Sequence, residues 1–140
     1  MTSGREGRRL IERYNDAWNR HDVDEIVSMH APGMVFENHT AGERVEGEAV
    51  RRHVAAIFES WPDIHFETRR LYAREGLVVC EWTASARHSR TISRSGLEAE
   101  ATGARLEWEG VDIFPIEDGL IERKDVYSDS TAILRQVGLL

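Results

Sequence analysis

The chain has 140 residues, of which 41% are hydrophobic, and a formal net charge of -7. This length and composition suit one domain with a single sizeable core, so we expect one domain over residues 1–140, with residues 1–8 as a flexible tail. The acidic charge argues against nucleic acid as a partner, because phosphate binding needs concentrated Lys and Arg. No stretch approaches the roughly 18 apolar residues of a membrane span, and the first nine residues contain no apolar run. We therefore expect a cytoplasmic protein that does not bind membranes.

Two amphipathic helices are predicted in the first half of the chain. Apolar residues recur at helical spacing over Leu10–Trp18 and again over Val50–Trp61, where the second helix ends before Pro62. Between them, Asp22 with Glu25 three residues later predicts a capping box that begins a shorter helix. The first half of the chain is therefore predicted to be mainly helical.

The second half has the alternating pattern of strands. Met34–Asn38 reads as a short strand, and two long hairpins turn at Glu75-Gly76 and at Asp118-Gly119. The four hairpin strands are predicted over residues 64–74, 77–89, 106–116 and 120–128. A last short helix is predicted over residues 130–137, with an N-cap at position 129 and a glycine stop at 138. This order of elements predicts an α+β fold with helices packed on one face of a curved sheet.

Asp112 is the first residue to suspect of chemistry. It lies in an otherwise apolar strand, where an ionised carboxylate would lose several kcal/mol of hydration free energy unless it is paired. It must therefore have a dedicated partner or be kept partly protonated. Strand alternation places Trp108 and Phe114 on the face of Asp112, and places Trp82 and His88 together on one face of another strand. We expect Asp112 to lie among tryptophans, with His88 near the rim of a pocket.

No metal or cofactor site is predicted. Cys80 is the only cysteine and lies in an apolar run, which favours a small core residue over a nucleophile. The histidines form no pattern typical of zinc ligands, and the glycines are too dispersed for a phosphate-binding loop. We therefore expect a protein that works without a cofactor.

Several segments together resemble a known family. They are Ala17-Trp-Asn-Arg-His-Asp22, His30-Ala-Pro, Trp61-Pro-Asp63, Gly110-Val-Asp-Ile-Phe114, Asp118-Gly-Leu-Ile121, Tyr127-Ser-Asp129 and Arg135-Gln-Val-Gly138. Their order and spacing resemble the SnoaL-like polyketide cyclase branch of the nuclear transport factor 2-like superfamily, from about Leu10 to Leu139. The resemblance implies a conical α+β barrel whose mixed or antiparallel sheet wraps around N-terminal helices, a pocket inside the cone, and homodimers formed through the outer sheet face. It does not settle function, since the superfamily includes isomerases, cyclases, dehydratases, epoxide hydrolases and catalytically silent binding modules.

Ketosteroid isomerases share this fold and provide one comparison of the site. In them a tyrosine and a protonated aspartic acid form an oxyanion hole, and a second aspartate moves the proton. Tyr14 matches the tyrosine and Asp112 the oxyanion acid, but Asn38 stands at the position of the base and cannot accept a proton. Strand alternation sends Glu37 and His39 to the opposite face, so neither is a good replacement.

Cyclases and epoxide hydrolases of the fold provide a second comparison. The acid-base aspartate of SnoaL-like cyclases corresponds to Val126, and the adjacent Asp125 should point to the other face of the strand. Limonene-type epoxide hydrolases need an arginine where this chain has Gly110 and an aspartate where it has Val126. Both requirements fail, which disfavours epoxide hydrolysis.

The sequence therefore predicts a pocket with few polar groups. Asp112 is expected to act as the acid-base or oxyanion-donating group, with Tyr14 as its hydrogen-bonding partner and Asn38 as an orienting dipole. The remaining expected pocket residues are Trp18, Phe36, Phe58, Trp82, His88, Trp108, Phe114 and Val126. The leading hypothesis is an isomerase, cyclase or dehydratase that acts on a hydrophobic, cyclic or polyketide-like small molecule. The alternatives are a non-catalytic binding module of the same fold and a structural dimer whose pocket is filled by its aromatic side chains.

Overall fold

The computed structural model describes all 140 residues and contains four helices and eight strands. The helices are α1 (Gly4–Asn19), α2 (Val23–Ser28), α3 (Ala49–Ser60) and α4 (Ser130–Gln136). The strands are β1 (His30–Asn38), β2 (Glu43–Glu46), β3 (His65–Arg74), β4 (Leu77–Arg87), β5 (Ile92–Arg94), β6 (Leu97–Ala99), β7 (Arg105–Glu117) and β8 (Leu120–Ser128). The predicted α+β class and both long hairpins are confirmed. None of the helices has the length and apolarity needed to cross a membrane.

One six-stranded sheet, in the order β2-β1-β8-β7-β4-β3, forms the frame of the molecule. β1 and β8 run parallel and the other neighbours are antiparallel, so the sheet is mixed. The sheet does not close on itself, because β2 and β3 remain as edges; the predicted conical barrel is therefore an open, curved sheet. The short strands β2, β5 and β6 were not predicted, since they lie in polar segments with no apolar alternation.

The N-terminus is ordered rather than flexible, which corrects the expected tail over residues 1–8. Ser3 caps α1 through a capping box with Glu6, and α1 begins at Gly4. Thr2 is buried, and its hydroxyl accepts a hydrogen bond from the backbone N–H of Gly119. The segment is polar in sequence, but it is held by backbone and capping contacts that an apolar pattern does not reveal.

A bulge in β8 decides which side chains of that strand face inward. Ile113 pairs with Asp125 and Ile116 pairs with Ile121, so β8 has one more residue than β7 between these two pairs. The extra residue shifts the alternation along β8. As a result both Ile121 and Lys124 are buried, although they are three residues apart.

The concave face of the sheet carries the core. The inward-facing positions expected from alternation are buried, including Trp82 on β4 and Trp108, Asp112 and Phe114 on β7. α1 covers this face with Ile11, Tyr14 and Trp18. Among the buried residues, Asp112 and Lys124 are the only Asp, Glu, Lys or Arg.

The hydroxyl of Tyr14 ties α1 to β1 and does not contact Asp112 as predicted. The hydroxyl oxygen of Tyr14 lies 2.9 Å from Nε2 of His30. No sequence pattern marks His30 as the partner of Tyr14. Burial, helped by the positive charge of Lys124, lowers the pKa of His30 to about 4. His30 is therefore neutral at pH 7, and a neutral imidazole has one ring nitrogen free to accept a hydrogen bond from the Tyr14 hydroxyl.

This pair predicts a loss of stability in mild acid. The folded pKa of His30 lies below the unfolded value of about 6.5, so the unfolded chain binds the proton first and the free energy of unfolding falls as pH drops from about 6.5 towards 4. We expect this loss to reach about 3 kcal/mol. Urea titrations between pH 7 and pH 4 should show a flatter pH dependence for His30→Gln than for wild type. The control His65→Gln, at an exposed site, should keep the wild-type slope; equal slopes for wild type and His30→Gln would contradict the assignment.

The convex face of the sheet leads to a prediction about assembly. It carries ion pairs, including Arg70 with Glu81, and exposes Tyr72 and Tyr127. Exposed aromatic groups on an open sheet face are typical of an interface, so a homodimer through this face remains our prediction. Sedimentation at micromolar concentration should give about twice the 16.0 kDa chain mass. A single species with the mass of one chain would contradict the predicted homodimer.

Candidate functional site

A cavity of about 370 Å³ lies between the concave face of the sheet and the helices. This volume lies within the range of small-molecule sites, so the hypothesis of a pocket filled by its own aromatic side chains does not fit. All four tryptophans of the chain border the cavity: Trp18, Trp61, Trp82 and Trp108. The pocket is therefore largely aromatic, and its occupancy should be visible in the intrinsic fluorescence of the protein.

Seven of the eleven predicted site residues line this cavity. They are Trp18, Phe36, Asn38, Trp82, Trp108, Asp112 and Val126. Polar residues that the sequence analysis did not assign to the pocket also line it: Thr40, Glu43, His53, Ser60, Lys124, Ser128 and Ser130. The aromatic floor and the carboxyl group were thus found from strand alternation. The contributions of α3 and of the loops at the mouth were not.

Tyr14, Phe58, His88 and Phe114 do not line the cavity, which corrects their predicted roles. Tyr14 and Phe114 are fully buried and pack edge to face behind the floor. Phe58 stacks on the ring of His21 and packs against Trp18, so it supports a lining residue without lining the cavity itself. His88 is buried rather than at a rim, and its Nδ1 lies 3.2 Å from the hydroxyl of Thr102. Residues 102–104, just before β7, hold His88 in place, since its backbone exchanges hydrogen bonds with Gly103 and Ala104.

The dedicated partner of Asp112 is Lys124. Nζ of Lys124 lies 3.8 Å from Oδ2 of Asp112, and each side chain is 8% exposed. Asp112 pairs across the sheet with Val126, and Lys124 lies two residues from Val126 on the same face. The ion pair is thus a diagonal contact between neighbouring strands at the floor of the cavity.

Aromatic rings enclose the ammonium group of Lys124. Its Nζ lies 3.9 Å from the ring centre of Trp18 and about 5 Å from those of Tyr14 and Phe36, at 5.1 and 5.0 Å. A cation over an aromatic face is stabilised by the ring quadrupole, typically by 0.5 to 2 kcal/mol when desolvated. These contacts, together with Asp112, offset part of the free energy lost when the ammonium group leaves water.

Burial shifts the pKa values of the two partners towards each other. It raises the pKa of Asp112 above its usual range, against the lowering effect of Lys124. It also lowers the pKa of Lys124, against the raising effect of Asp112. The ion pair and the neutral acid–amine pair are therefore much closer in free energy here than in water. A proton can pass between the two groups without any change in the net charge of the pocket.

Three buried polar atoms beside this pair make no hydrogen bond. They are Oδ1 of Asp112 and the indole nitrogens of Trp18 and Trp82. The indole nitrogen of Trp82 faces the Asp112 carboxyl group, whose pKa it lowers, and that of Trp18 faces the Tyr14 hydroxyl, which leaves Oδ1 of Asp112 as the unpaired acceptor. A second cavity of about 10 Å³ adjoins the same residues, and this is close to the volume that one water molecule needs. The floor is therefore suited to a ligand that carries a hydroxyl or carbonyl group on an apolar frame.

Asn38 and Val126 stand at the two positions where the related enzymes have a second carboxylate. Oδ1 of Asn38 accepts a hydrogen bond from the backbone N–H of Ala41, so this amide holds the β1–β2 turn. Its predicted role as an orienting dipole is therefore limited to the side-chain nitrogen. Val126 faces Asp112 from β8 and is buried. Neither position therefore supplies a carboxylate with which Asp112 could share a proton.

Gly110 explains the position of Trp82. The two residues pair across β4 and β7, and a Cβ atom at Gly110 would lie 2.3 Å from the indole ring. Any side chain at this position would displace the ring. An arginine here, as limonene-type epoxide hydrolases require, is therefore incompatible with this pocket.

A metal site is not favoured on the outer face either. Glu37, His39 and Asp125 offer ligand atoms within 4.8 Å of one another, on the face opposite the cavity, as strand alternation predicts. However, the guanidinium group of Arg123 donates to both carboxylates, at 3.0 and 2.7 Å. The positive charge of Arg123 therefore already balances the two carboxylates, so a metal ion is not needed to do so.

Lys124 is the residue that the sequence analysis missed. Counting inward positions back from Val126 places Lys124 in the pocket, whereas the family comparison draws attention only to the adjacent Asp125. The composition also points to this residue, because Lys124 is the only lysine among the 18 lysine and arginine residues. A chain that uses arginine at every other basic position is expected to use lysine for a property that arginine lacks.

Comparison with known proteins agrees with this geometry. The family described as SnoaL-like domain matches residues 11–124. No protein of curated function matches the sequence. The structure is similar to AclR of Streptomyces galilaeus, a candidate hydroxylase, with a TM-score of 0.82 and 23% identity over 99% of this chain and 88% of that one.

Two further solved structures show the same fold. A candidate SnoaL-like polyketide cyclase from Jannaschia sp. CCS1 has a TM-score of 0.82 and 17% identity, over 100% of this chain and 96% of that one. A protein of ketosteroid isomerase-like fold from Catenulispora acidiphila, in complex with trimethylamine, has a TM-score of 0.76 and 14% identity over 94% and 93%. Identities this low establish the fold alone. The family match over most of the chain establishes more: this protein belongs to the SnoaL-like domain family, as its sequence resemblance predicts.

Proposed function

We propose that this chain is a cofactor-independent acid–base enzyme that acts on a hydrophobic, cyclic or polyketide-like molecule bearing a carbonyl or hydroxyl group. The reaction is an isomerisation, cyclisation or dehydration through an enol-like intermediate. The observation that supports it most is the buried Asp112–Lys124 pair at the floor of an otherwise aromatic cavity. Buried ionisable groups whose pKa values are shifted by desolvation and by a specific charged partner, in a cleft, are typical of catalytic sites.

The pair supplies an acid and a base together. In its neutral form, the carboxyl group of Asp112 donates a proton to the substrate oxygen while the amine of Lys124 removes a proton from the adjacent carbon. The Lys124 ammonium group then protonates a different carbon of the enol while the Asp112 carboxylate takes back the proton on oxygen; alternatively, the enol carbon attacks a second carbonyl carbon, whose oxygen takes the proton from Lys124. Both transfers take place among aromatic side chains, where the charge on the substrate oxygen is poorly hydrated and donation by a fixed acid has its largest effect. Tyr14 contributes only to the aromatic wall behind Lys124, since its hydroxyl is bonded to His30.

A non-catalytic binding module is the second candidate. It is favoured by the loss of both family carboxylates, since Asn38 is bonded within a turn and Val126 is apolar. In a binding module, the charges of Asp112 and Lys124 would balance each other, and the pair would orient a polar group of the ligand. The two candidates differ in whether Asp112 exchanges a proton with the ligand.

Exchange of carbon-bound hydrogen distinguishes these candidates without the natural substrate. With 1-tetralone in D₂O, the protein should accelerate deuterium incorporation at the carbon next to the carbonyl, measured by proton NMR. Asp112→Asn should slow this by at least about a hundredfold, because the amide cannot donate the proton. Asp118→Asn, in an exposed hairpin turn that tolerates asparagine, is the matched control and should leave the rate unchanged. Quenching of tryptophan fluorescence by 1-tetralone with no exchange above background would favour the binding module.

The same substitutions predict a pattern of stabilities. Asp112→Asn leaves the Lys124 ammonium group buried without a counter-ion, which should lower the free energy of unfolding by about 3 to 5 kcal/mol. Lys124→Met leaves a buried carboxylate, which can take up a proton, so its cost should grow as pH rises above the usual carboxyl pKa. The double variant buries no charge, and urea titrations should find it more stable than Asp112→Asn alone. A double variant whose loss equals the sum of the two single losses would show that the groups do not interact.

A further inference from the structure

The identity of the one lysine is the starting observation. Arginine occupies every other basic position and pairs with carboxylates at the surface, as Arg70 does with Glu81. A buried positive charge could equally be supplied by an arginine, whose guanidinium group never loses its proton in a protein. Lysine differs in that it can lose its proton, and the free amine is a nucleophile. The single lysine lies where this difference matters, at the wall of the cavity.

The surroundings of Lys124 favour the free amine. Its nitrogen lies 3.8 Å from Asp112, longer than the 2.7 to 2.9 Å of a charge-assisted hydrogen bond, so no short bond fixes the ammonium form. Burial lowers the pKa of Lys124, and the carboxylate only partly opposes this. Desolvation in a hydrophobic pocket is one of the ways in which proteins activate lysine as a nucleophile.

We propose that Lys124 attacks an aldehyde or ketone carbonyl of the ligand to form an iminium, with Asp112 as the acid that releases the oxygen as water. This inference rests on the proposed function, because it assumes that the pocket takes a carbonyl compound. It adds the covalent step and restricts the substrate to compounds with an unhindered carbonyl carbon. It assigns Lys124 as a nucleophile, whereas in the non-covalent route the same amine acts as a general base.

The step balances within the pair. The lone pair of the amine forms the C–N bond as the C=O π bond breaks, and a proton moves from nitrogen to oxygen to give a carbinolamine. Asp112 then donates its proton to the hydroxyl group, the C–O bond breaks, and water leaves. The products are a protonated iminium on Lys124, the Asp112 carboxylate and one water molecule. The 10 Å³ cavity that borders both residues can hold that molecule. Water reverses the step after the iminium has acidified the adjacent C–H bond.

Reductive trapping tests the proposal directly, because the chain has only two kinds of amine. The protein is treated at pH 7 with 2-naphthaldehyde and cyanoborohydride, and adducts at Lys124 and at the Met1 α-amine are quantified by peptide mass spectrometry. An ordinary lysine is over a hundredfold less deprotonated at this pH than an α-amine. We expect Lys124 to be labelled at least as fast as Met1. In Arg105→Lys, which adds a lysine at an exposed site, the new residue should be labelled at least tenfold more slowly than Lys124.

A parallel reaction with formaldehyde, which is too small to need a shaped pocket, distinguishes the reactivity of the Lys124 amine from the fit of a ring-sized aldehyde in the cavity. Labelling of Lys124 by both aldehydes supports the proposal. The proposal is overturned if neither aldehyde modifies Lys124, or if formaldehyde alone does. In both cases the pocket does not capture a ring-sized carbonyl compound. These readouts need no turnover and no variant of the pocket. Trapping without exchange of 1-tetralone hydrogens would refute the proposed function alone, while exchange without trapping would refute only the covalent step.

Discussion

The burial of one carboxyl group and one amine at the same point is the constraint around which this structure is arranged. Removing both charges from water costs several kcal/mol for each group, and a separation of 3.8 Å recovers only part of that free energy. Replacement by apolar residues of similar volume would satisfy the fold equally well or better. The pair is therefore better explained by what it does at the cavity than by what it adds to stability.

The elements around the pair each contribute one condition. The bulge in β8 turns Lys124 inward beside Val126, and the pairing of β7 with β8 brings it diagonally next to Asp112. α1 supplies Trp18, whose ring lies 3.9 Å from the ammonium nitrogen. Gly110 leaves room for Trp82 to lie over β7. The result is a floor where donors and acceptors are few, fixed and poorly hydrated, and this is where a change in protonation has the largest effect on a bound molecule.

Much of this arrangement was predictable from local patterns. Period-two alternation correctly placed Asp112, Trp82 and Trp108 on the cavity face, because long antiparallel strands buried on one face leave little freedom in side-chain direction. Capping residues correctly predicted the starts of α2 and α4. The family resemblance, which depends on the order of many weak motifs, predicted the fold.

The errors have equally specific causes. The assignment of Tyr14 to Asp112 followed the family comparison, but the tyrosine hydroxyl found a closer partner in His30 on β1, and only the tertiary structure brings these together. Lys124 was missed because the family comparison draws attention to Asp125, the immediate neighbour of Val126, whereas the inward position on this side of the β8 bulge lies two residues before Val126. His88 was placed at a rim because its neighbours are polar, yet it is buried and bonded to residues 102–104, which only the tertiary structure brings beside it.

The most direct test of the central claim uses the single lysine. In protein labelled with ¹⁵N-lysine, Nζ of Lys124 gives the only lysine side-chain signal, and its chemical shift follows protonation as pH is raised. Burial among aromatic rings predicts a midpoint below the ordinary lysine value of about 10.4, together with a lower midpoint still in Asp112→Asn, where the opposing carboxylate is gone. A midpoint at or above about 10.4 in the wild type would show that the ion pair outweighs desolvation, and Lys124 would then be a fixed counter-ion rather than a reactive amine.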